Sequence, residues 1–477
     1  MRSLKTPVLS EHRRRKIRLL PYSFVAGVVL LATVGPALAE GPVMDGRTLA
    51  LFGAAAALYT GSRKPLFYSF YFNYLVFWIC LGNINFLVFR QLWAGWDGDV
   101  VKENALYALF LLVFAAGGAV WNKRIRDGRP TPVERLDISI PVFLTFSLVL
   151  VSIFCVVYLP VIGYGGIYLG RVTNENRFSI EFPSILNRVA YAFHIAAALL
   201  LFRLVVTGRG RIALIGFVAW AFFVLTAGGA RWAFFQVAVT LVFFLAFTGN
   251  LGVIARFRML AVVFLALLVL FQPVLAILRS GGSSEFGTTF GSLAAFGTSW
   301  GGEFRDGAAA LLRLGRDQVD EISRHYVQTV FVPVIPRQLT QLFGVDKDLV
   351  ASFPSAFVMQ QEYQSYSAIR IGGILEAFFW WKYLGVFIVA ALNYAAVHWI
   401  DRLAYRPRKT LSLALLLAFA ATSVLYFVAS QSNELLAPLF AILSVYLFLK
   451  VVQIVLGVPN TTFVPRATNP ALWTSTR

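Results

Sequence analysis

Charged residues are scarce in this chain: Asp, Glu, Lys and Arg make up only 14% of its 477 residues. A soluble domain carries about 25%. Hydrophobic residues reach 58% and the mean hydropathy is +0.71. Apolar runs of about 20 residues, the length of a membrane-spanning helix, recur along the chain. Because these runs are too continuous for the alternating strands of a membrane barrel, the composition predicts an all-α, polytopic integral membrane protein.

Cysteine and histidine are also rare, with two Cys and four His. Both cysteines, Cys80 and Cys155, lie inside apolar runs, where small core residues are expected. The four histidines are scattered, and no group of residues has the spacing of a metal site. The sequence also lacks a nucleotide-binding motif. We therefore expect the protein to use no metal and no other cofactor.

Acidic residues are outnumbered, since 23 Asp and Glu stand against 42 Lys and Arg, a net charge of +19. In a soluble chain this excess would suggest nucleic acid. Here much of it has another cause, because the short cytoplasmic connections of membrane proteins collect Lys and Arg. We therefore expect the lipid bilayer, and not nucleic acid, as a partner.

The apolar runs predict twelve transmembrane helices, nine within residues 21–278 and three within residues 371–456. The predicted spans are residues 22–39, 48–59, 66–89, 105–121, 140–159, 184–206, 212–227, 232–248, 259–278, 371–399, 411–429 and 435–456. The tenth contains Gly372-Gly373 and Trp380-Trp381-Lys382 near its start, so part of it is a candidate re-entrant or interfacial segment. The first run ends in a signal-peptidase-like Ala37-Leu38-Ala39, but its length favours a retained helix.

Basic residues are concentrated in every second connection between the predicted spans, which fixes the expected orientation. The basic set is Arg63, Lys64, Lys123, Arg124, Arg126, Arg129, Arg135, Arg203, Arg209, Arg211, Arg256, Arg258, Arg402, Arg406, Arg408 and Lys409. The other short connections are nearly bare. The tails, residues 1–20 and 457–477, are therefore expected in the cytoplasm, and residues 279–370 form one large loop between helices 9 and 10 on the opposite side.

The large loop is the only long segment that is not membrane-like. It is rich in arginine, and this excess on the outer side points to an anionic ligand. We expect the loop to be the roof of a site whose walls are the nearby helix ends. Arg305 and Arg337 lie within this loop, while Arg279 and Arg370 lie at its two ends.

Three of the candidate arginines lie at one end of a segment that contains glycine or proline. Arg231 ends the turn Gly228-Gly229-Ala230-Arg231, where exposed backbone N–H groups beside an arginine suit a phosphate. An interfacial arginine that reaches lipid headgroups is the alternative. Arg279 opens a Gly/Ser-rich segment, which is either a flexible cover or a linker. Arg337 closes the apolar run 330–337, which is too short to span a membrane.

A second group of residues suits a sugar. Gln360-Gln361-Glu362-Tyr363 combines amide, carboxylate and aromatic side chains, which bond hydroxyl groups and stack on sugar rings. Glu362 is the candidate general base, provided that burial raises its pKa; an ordinary solvated carboxylate is the alternative. Glu376 is expected at the membrane surface or just inside it, where an ionisable residue is a functional candidate by default.

Taken together, these features resemble the Wzy-type O-antigen and exopolysaccharide repeat-unit polymerases of bacterial inner membranes. The resemblance rests on the helix count, on the large external loop before the last spans, and on three short segments. These segments are Gly228-Gly229-Ala230-Arg231, Ile335-Pro336-Arg337, and Glu362-Tyr363 leading into Gly372-Gly373.

The resemblance implies a GT-C-like glycosyltransferase that works at the periplasmic face. It would transfer a glycan from polyprenyl diphosphate to a sugar hydroxyl of another lipid-linked repeat unit. Glu362, Arg231 and Arg279 are the implied catalytic residues. The implied substrate-binding residues are Arg337, Arg370, Tyr363, Glu376 and Arg305. Expected partners are the lipid-linked oligosaccharide and the chain-length regulator and flippase of the same pathway.

Three other functions remain open. An O-antigen ligase would share the layout, but His325, within Arg324-His325-Tyr326, does not resemble the ligase pattern. A flippase or transporter is disfavoured by the long loop, the few charges within spans and the lack of an internal repeat. An assembly subunit without chemistry would leave the external arginines unexplained.

Overall fold

The structure is a computed structural model that describes part of the chain. The described residues are 44–89, 99–125, 130–133, 135–136, 149, 197–198, 200–202, 215, 231–249, 302–313, 337–344, 371–407, 409–429, 443, 446, 450, 454 and 462–463. Helices dominate this part. They are α1 (Gly46–Gly61), α2 (Leu66–Phe89), α3 (Val100–Trp121), α4 (Arg231–Thr248), α5 (Gly302–Arg313), α6 (Arg337–Leu342), α7 (Gly373–Ala404) and α8 (Leu411–Ala429).

Helices coincide with six of the predicted spans, the second, third, fourth, eighth, tenth and eleventh. The bounds of α2 and α8 are those predicted. By contrast, α3 begins five residues before the predicted start at residue 105, because the carboxylate of Asp99 accepts a hydrogen bond from the backbone N–H of Lys102 and caps the helix at Val100. The other six predicted spans have at most scattered described positions.

Two of the helices, α3 and α7, have the length and the apolar composition needed to cross a membrane. The described part of the chain is thus helical and carries candidate membrane helices. The sequence predicted no strand. The structure adds one two-residue antiparallel pair, in which Arg135 lies opposite Phe463 and Leu136 opposite Thr462.

The ends of the long described helices lie at two opposite ends of the bundle. At one end, the carboxylate of Asp401 in the last turn of α7 accepts hydrogen bonds from the backbone N–H groups of Phe67 and Tyr68, at 3.0 and 2.8 Å. These N–H groups open α2 and have no partner inside their own helix. The hydroxyl of Tyr405 accepts a third bond, from the N–H of Leu66. We call this the Asp401 end.

The helix directions agree with the order of the predicted spans. Thr240 in α4 and Thr422 in α8 share a hydrogen bond of 3.0 Å, and the Cβ that a side chain at Gly249 would add lies 3.2 Å from Pro132 at the Asp401 end. Thus α4 ends where α8 begins. Among the described helices, those matching even-numbered spans end at the Asp401 end, and those matching odd-numbered spans begin there.

Aromatic rings form the centre of the bundle. Tyr68 of α2 stacks on Phe114 of α3 with ring centroids 5.3 Å apart, and Tyr394 of α7 meets both rings edge-on. Such pairs contribute about 0.5–1.5 kcal/mol each beyond the burial of their surface. Gly117 permits this approach, because a Cβ there would lie 2.5 Å from Cδ1 of Tyr394.

The helix α7 is broken near its start. Trp381 and Lys382 have non-helical backbone angles, and φ of Lys382 is +53°, in the region that favours glycine. The preceding residues, Gly373 to Trp380, are buried, whereas residues 381–384 are exposed. The sequence prediction that this span is not a single straight helix is therefore confirmed at Trp381-Lys382.

We predict that Gly117→Ala lowers the free energy of unfolding by about 1–3 kcal/mol, because the added methyl overlaps the Tyr394 ring in a close-packed core. Gly53→Ala is the matched control. No atom lies within 4 Å of the Cβ position at Gly53, so this helix substitution should stabilise the protein by about 0.5–1 kcal/mol. Thermal denaturation of the detergent-purified proteins measures both. Equal shifts for the two variants would contradict the packing described here.

Lys409 gives a pH-dependent prediction. Its ammonium donates to the carbonyl of Ala404 at 2.8 Å, and burial lowers its pKa from 10.5 to about 7. Between these two pH values the unfolded chain binds more protons than the folded one, so this lysine makes stability rise with pH. We expect the slope of the thermal midpoint between pH 7 and 10.5 to be smaller in Lys409→Met than in the parent. The exposed Lys123, changed in the same way, should leave the slope unaltered.

Candidate site at the Glu103 end of the bundle

The end of the bundle opposite Asp401 contains two buried carboxylates, and we call it the Glu103 end. Glu103 lies in the first turn of α3 and is 0% exposed, while Glu376 lies in the first turn of α7 and is 1% exposed. Removing a carboxylate from water is costly and is seldom tolerated without compensating groups. Ionisable residues buried in membrane helices are functional candidates by default.

A segment of the predicted loop, the helix α5, packs on this end. The backbone N–H of Asp99, the residue that caps α3, donates to the carbonyl of Ala308 at 2.9 Å. Phe304 is fully buried, with its ring against Gly82 of α2 and 5.8 Å from the ring of Tyr107. The start of α3 and the adjacent part of α2 are therefore held to α5 by a backbone hydrogen bond and by contacts of the Phe304 ring.

Gly307 brings the backbone of α5 to the buried carboxylate. A Cβ at this position would lie 2.7 Å from Oε1 of Glu103 and 3.3 Å from the carbonyl oxygen of Ile371, and it would overlap Leu375. Leu375 is the residue before Glu376 in α7. A larger residue here would displace the side chains of Leu375 and Glu103, so α5 covers Glu103 and the start of α7 at the same point.

An amide pair lies beside Glu103. Asn104 of α3 and Asn83 of α2 exchange two hydrogen bonds of 2.8 and 2.9 Å, and both side chains are buried. Each amide uses its donor and its acceptor in this pair, which fixes the register of the two helices. The pair thus sets the position of the turn that carries Glu103.

Two further helix ends meet this site. Gly373 at the start of α7 lies against Phe427 near the end of α8, where a Cβ would be 2.6 Å from the Phe427 carbonyl oxygen. Thr240 of α4 bonds Thr422 of α8, and Gly249 after α4 lies near Pro132 at the Asp401 end, so α4 runs antiparallel to α8. The start of α4, Arg231, is therefore at the same end of the bundle as Glu103 and Glu376.

The structure describes four of the eight predicted site residues. Glu376 is in the site with its side chain buried. Arg231 begins α4, Arg305 lies in α5, and Arg337 begins α6; their side-chain positions are outside the description. The predictions for Arg279, Glu362, Tyr363 and Arg370 lie outside the described residues.

Sequence reasoning missed Glu103 and the Asn83–Asn104 pair. The predicted fourth span starts at residue 105, which leaves Glu103 in the connection before it. The signal that could have found it is Asp99, a favourable N-cap residue four positions earlier. Starting the helix after Asp99 places Glu103 in its first turn. The pairing of the two asparagines depends on the register between helices, which no local pattern carries.

No group of three or more His, Cys, Asp or Glu residues that could hold a metal ion occurs within the described part of the chain. No protein-family model, curated protein or solved structure matches this chain. The function is therefore argued from the site itself.

We predict that the docking of α5 depends on Phe304 and Gly307. In a background without Cys80 and Cys155, Ala309→Cys should resist a maleimide reagent, because Ala309 is 1% exposed, whereas Leu312→Cys should react, because Leu312 is 54% exposed. Adding Phe304→Ala removes a buried ring whose loss costs about 3–5 kcal/mol. Labelling at position 309 should then approach that at position 312.

Gly307→Val should have the same effect on labelling by collision with Leu375. Leu312→Cys, reactive in every background, controls for the amount of protein in the membrane. Rapid labelling of Ala309→Cys without either second change would show that α5 does not pack as described.

Proposed function

We propose that this protein is a membrane-embedded glycosyltransferase of the bacterial inner membrane, a polysaccharide polymerase for lipid-linked repeat units. The observation that carries the proposal is the Glu103 end. There, α5 from the arginine-rich segment packs on the buried Glu103 and on Leu375, the residue before the buried Glu376, at the same end of the bundle as the helix start that bears Arg231. Carboxylates and arginines at one end of an apolar bundle suit a substrate with a hydroxyl group, a diphosphate and a lipid tail.

The proposed topology has twelve transmembrane helices with both termini in the cytoplasm and residues 279–370 in the periplasm. The alternation of basic connections along the sequence supports this orientation. The alternating directions of the described helices that match predicted spans support it as well. A site at the Glu103 end would then face the periplasm, where lipid-linked sugars are available and nucleotide sugars are not.

The proposed reaction is an inverting transfer. The oxygen of an acceptor sugar hydroxyl forms a bond to the anomeric carbon of the donor glycan. The bond from that carbon to the diphosphate oxygen breaks, and the diphosphate leaves with the electron pair. A carboxylate takes the hydroxyl proton. The bonds formed equal the bonds broken, and the step needs neither an oxidant nor a nucleotide.

Arginines would stabilise the charge that grows on the departing diphosphate. Arg231, Arg279, Arg337 and Arg370 are the proposed set, with Arg305 on α5 as a further contact to substrate. Glu362, next to Tyr363, remains the first choice for the base. The burial of Glu376 at the Glu103 end supports it as a second choice, because a carboxylate shielded from water is a stronger base than a solvated one. The chain-length regulator and the flippase of the same pathway are the proposed protein partners.

Deletion of the gene, followed by gel analysis of surface and secreted glycans, tests the proposal. We expect the long-chain ladder to disappear while single repeat units persist. Loss of all surface chains with lipid-linked polymer accumulating would instead indicate a ligase. Accumulation of single lipid-linked units alone would indicate a flippase, and an unchanged profile would contradict all three functions.

Complementation of the deletion strain tests the arginines. Arg231→Ala, Arg279→Ala and Arg337→Ala should each reduce polymer by about 100-fold or more, the loss typical for a group that stabilises transition-state charge, with the protein still present in the membrane. Arg406→Ala is the control, because Arg406 is exposed at the Asp401 end. Normal polymer from all three variants would exclude the arginine set.

A further inference from the structure

One face of α7 is exposed and apolar over most of the helix length. The residues on this face are Tyr383, Leu384, Phe387, Ala391, Leu392, Ala395 and Trp399. The large ones among them are 52–62% exposed, whereas Val386, Ala390 and Val397 on the opposite face are fully buried. Exposed contiguous apolar surface of this kind marks an interaction surface.

The ends of this face match the dimensions of a bilayer. Lys382 and Trp381 mark one end, and Trp399 and Arg402 mark the other; all four are exposed. The 21 residues from Lys382 to Arg402 span about 30 Å at 1.5 Å per residue, which is the thickness of the hydrocarbon core. Trp and basic residues are the side chains that membrane proteins place at the two interfaces.

A second lysine reaches the Lys382 edge from another helix. The ammonium of Lys102 in α3 lies 5.0 Å from the ring centroid of Phe378 in α7, and that ring meets the ring of Tyr383 edge-on at 5.4 Å. Tyr383 directly follows Lys382. One cation and two aromatic rings therefore lie in contact where the apolar face begins, and Lys382 is next to them along the chain.

The backbone at Lys382 places its side chain at this edge. The helix breaks there, so that the buried part of α7 ends and the exposed face starts at the same residue. The positive φ of +53° strains the backbone of a residue other than glycine. Glycine would be less strained at this position but would carry no charge, whereas lysine places an ammonium group there.

We propose that the exposed face of α7 is a lipid-binding surface and that Lys102 and Lys382 bind the phosphate of an anionic phospholipid at its edge. The acyl chains lie along Leu384, Phe387 and Leu392, and the headgroup phosphate accepts hydrogen bonds from the two ammonium groups. A face bounded by cations at both ends, one membrane thickness apart, complements phospholipid headgroups rather than a second protein. The proposal does not depend on the glycosyltransferase function.

Native mass spectrometry of the full-length protein in detergent tests this site. Titration with dioleoylphosphatidylglycerol should give tighter binding than titration with dioleoylphosphatidylcholine. Lys102→Gln and Lys382→Gln should each weaken phosphatidylglycerol binding by about fivefold, and phosphatidylcholine binding should not change. Lys102→Arg and Lys382→Arg should keep the preference.

Lys382→Gly separates the effect of the lysine charge on lipid binding from any effect on protein stability. It removes the charge but relieves the backbone strain, so it should lose the lipid preference to the same extent as Lys382→Gln while remaining at least as stable. Equal binding of the two phospholipids by the parent would overturn the proposal. A lysine-dependent preference for polyprenyl diphosphate over phosphatidylglycerol would also overturn it.

A spin label on Leu392→Cys tests the apolar part of the surface in nanodiscs. A lipid-facing label collides often with oxygen and seldom with a water-soluble nickel complex. Protection from both reagents, together with dimer formation through a disulfide at position 392, would show that a second copy of the chain covers this face and would overturn the proposal.

Discussion

The packing of α3 against α7 is the contact on which the described structure depends. It is close at both ends of the bundle. Near the Asp401 end, Gly117 accepts the ring of Tyr394, and that tyrosine donates to Asn122 at 3.0 Å. At the other end, Leu375 and the carboxylate of Glu103 both meet Gly307. Since α7 also contacts α2 and α8, a shift of α3 against α7 would displace every described helix that borders the candidate site.

Polar groups inside an apolar bundle restrict it to few arrangements, because each requires a partner at a defined place. The carboxylate of Asp401 closes the start of α2, and the Asn83–Asn104 pair holds α2 to α3. Neither contact needs to contribute much net stability to be decisive. Each contact fixes the position of one helix along its neighbour, since a helix displaced by one turn would leave a buried donor or acceptor unsatisfied. These helix positions therefore determine where the residues of the candidate site lie.

The two ends of the bundle differ in a way that bears on function. The Asp401 end is closed by short connections and by hydrogen bonds from the start of α2 to the end of α7. The Glu103 end is covered by α5, which belongs to the long arginine-rich segment and is separated in sequence from the helices beneath it. Buried carboxylates, a covering helix and an arginine-bearing helix start occur together only at this end of the described bundle. This asymmetry is why we assign substrate to the Glu103 end and lipid anchoring to the flank of α7.

The sequence by itself determined where the described long helices lie, because apolar runs of membrane length depend on local composition alone. The bounds of α2 and α8 followed from it, and so did the expectation that the span containing Trp381-Lys382 is not one straight helix. It also made Glu376 a candidate, as an ionisable residue at the edge of an apolar span. Only the tertiary structure decided that α5 packs on the bundle, that Glu103 lies beneath Gly307, and that Lys102 of α3 lies over the ring of Phe378 in α7. The physical reason is that these contacts join residues far apart in sequence, and their distance is set by helix register and close packing, which local pattern does not encode.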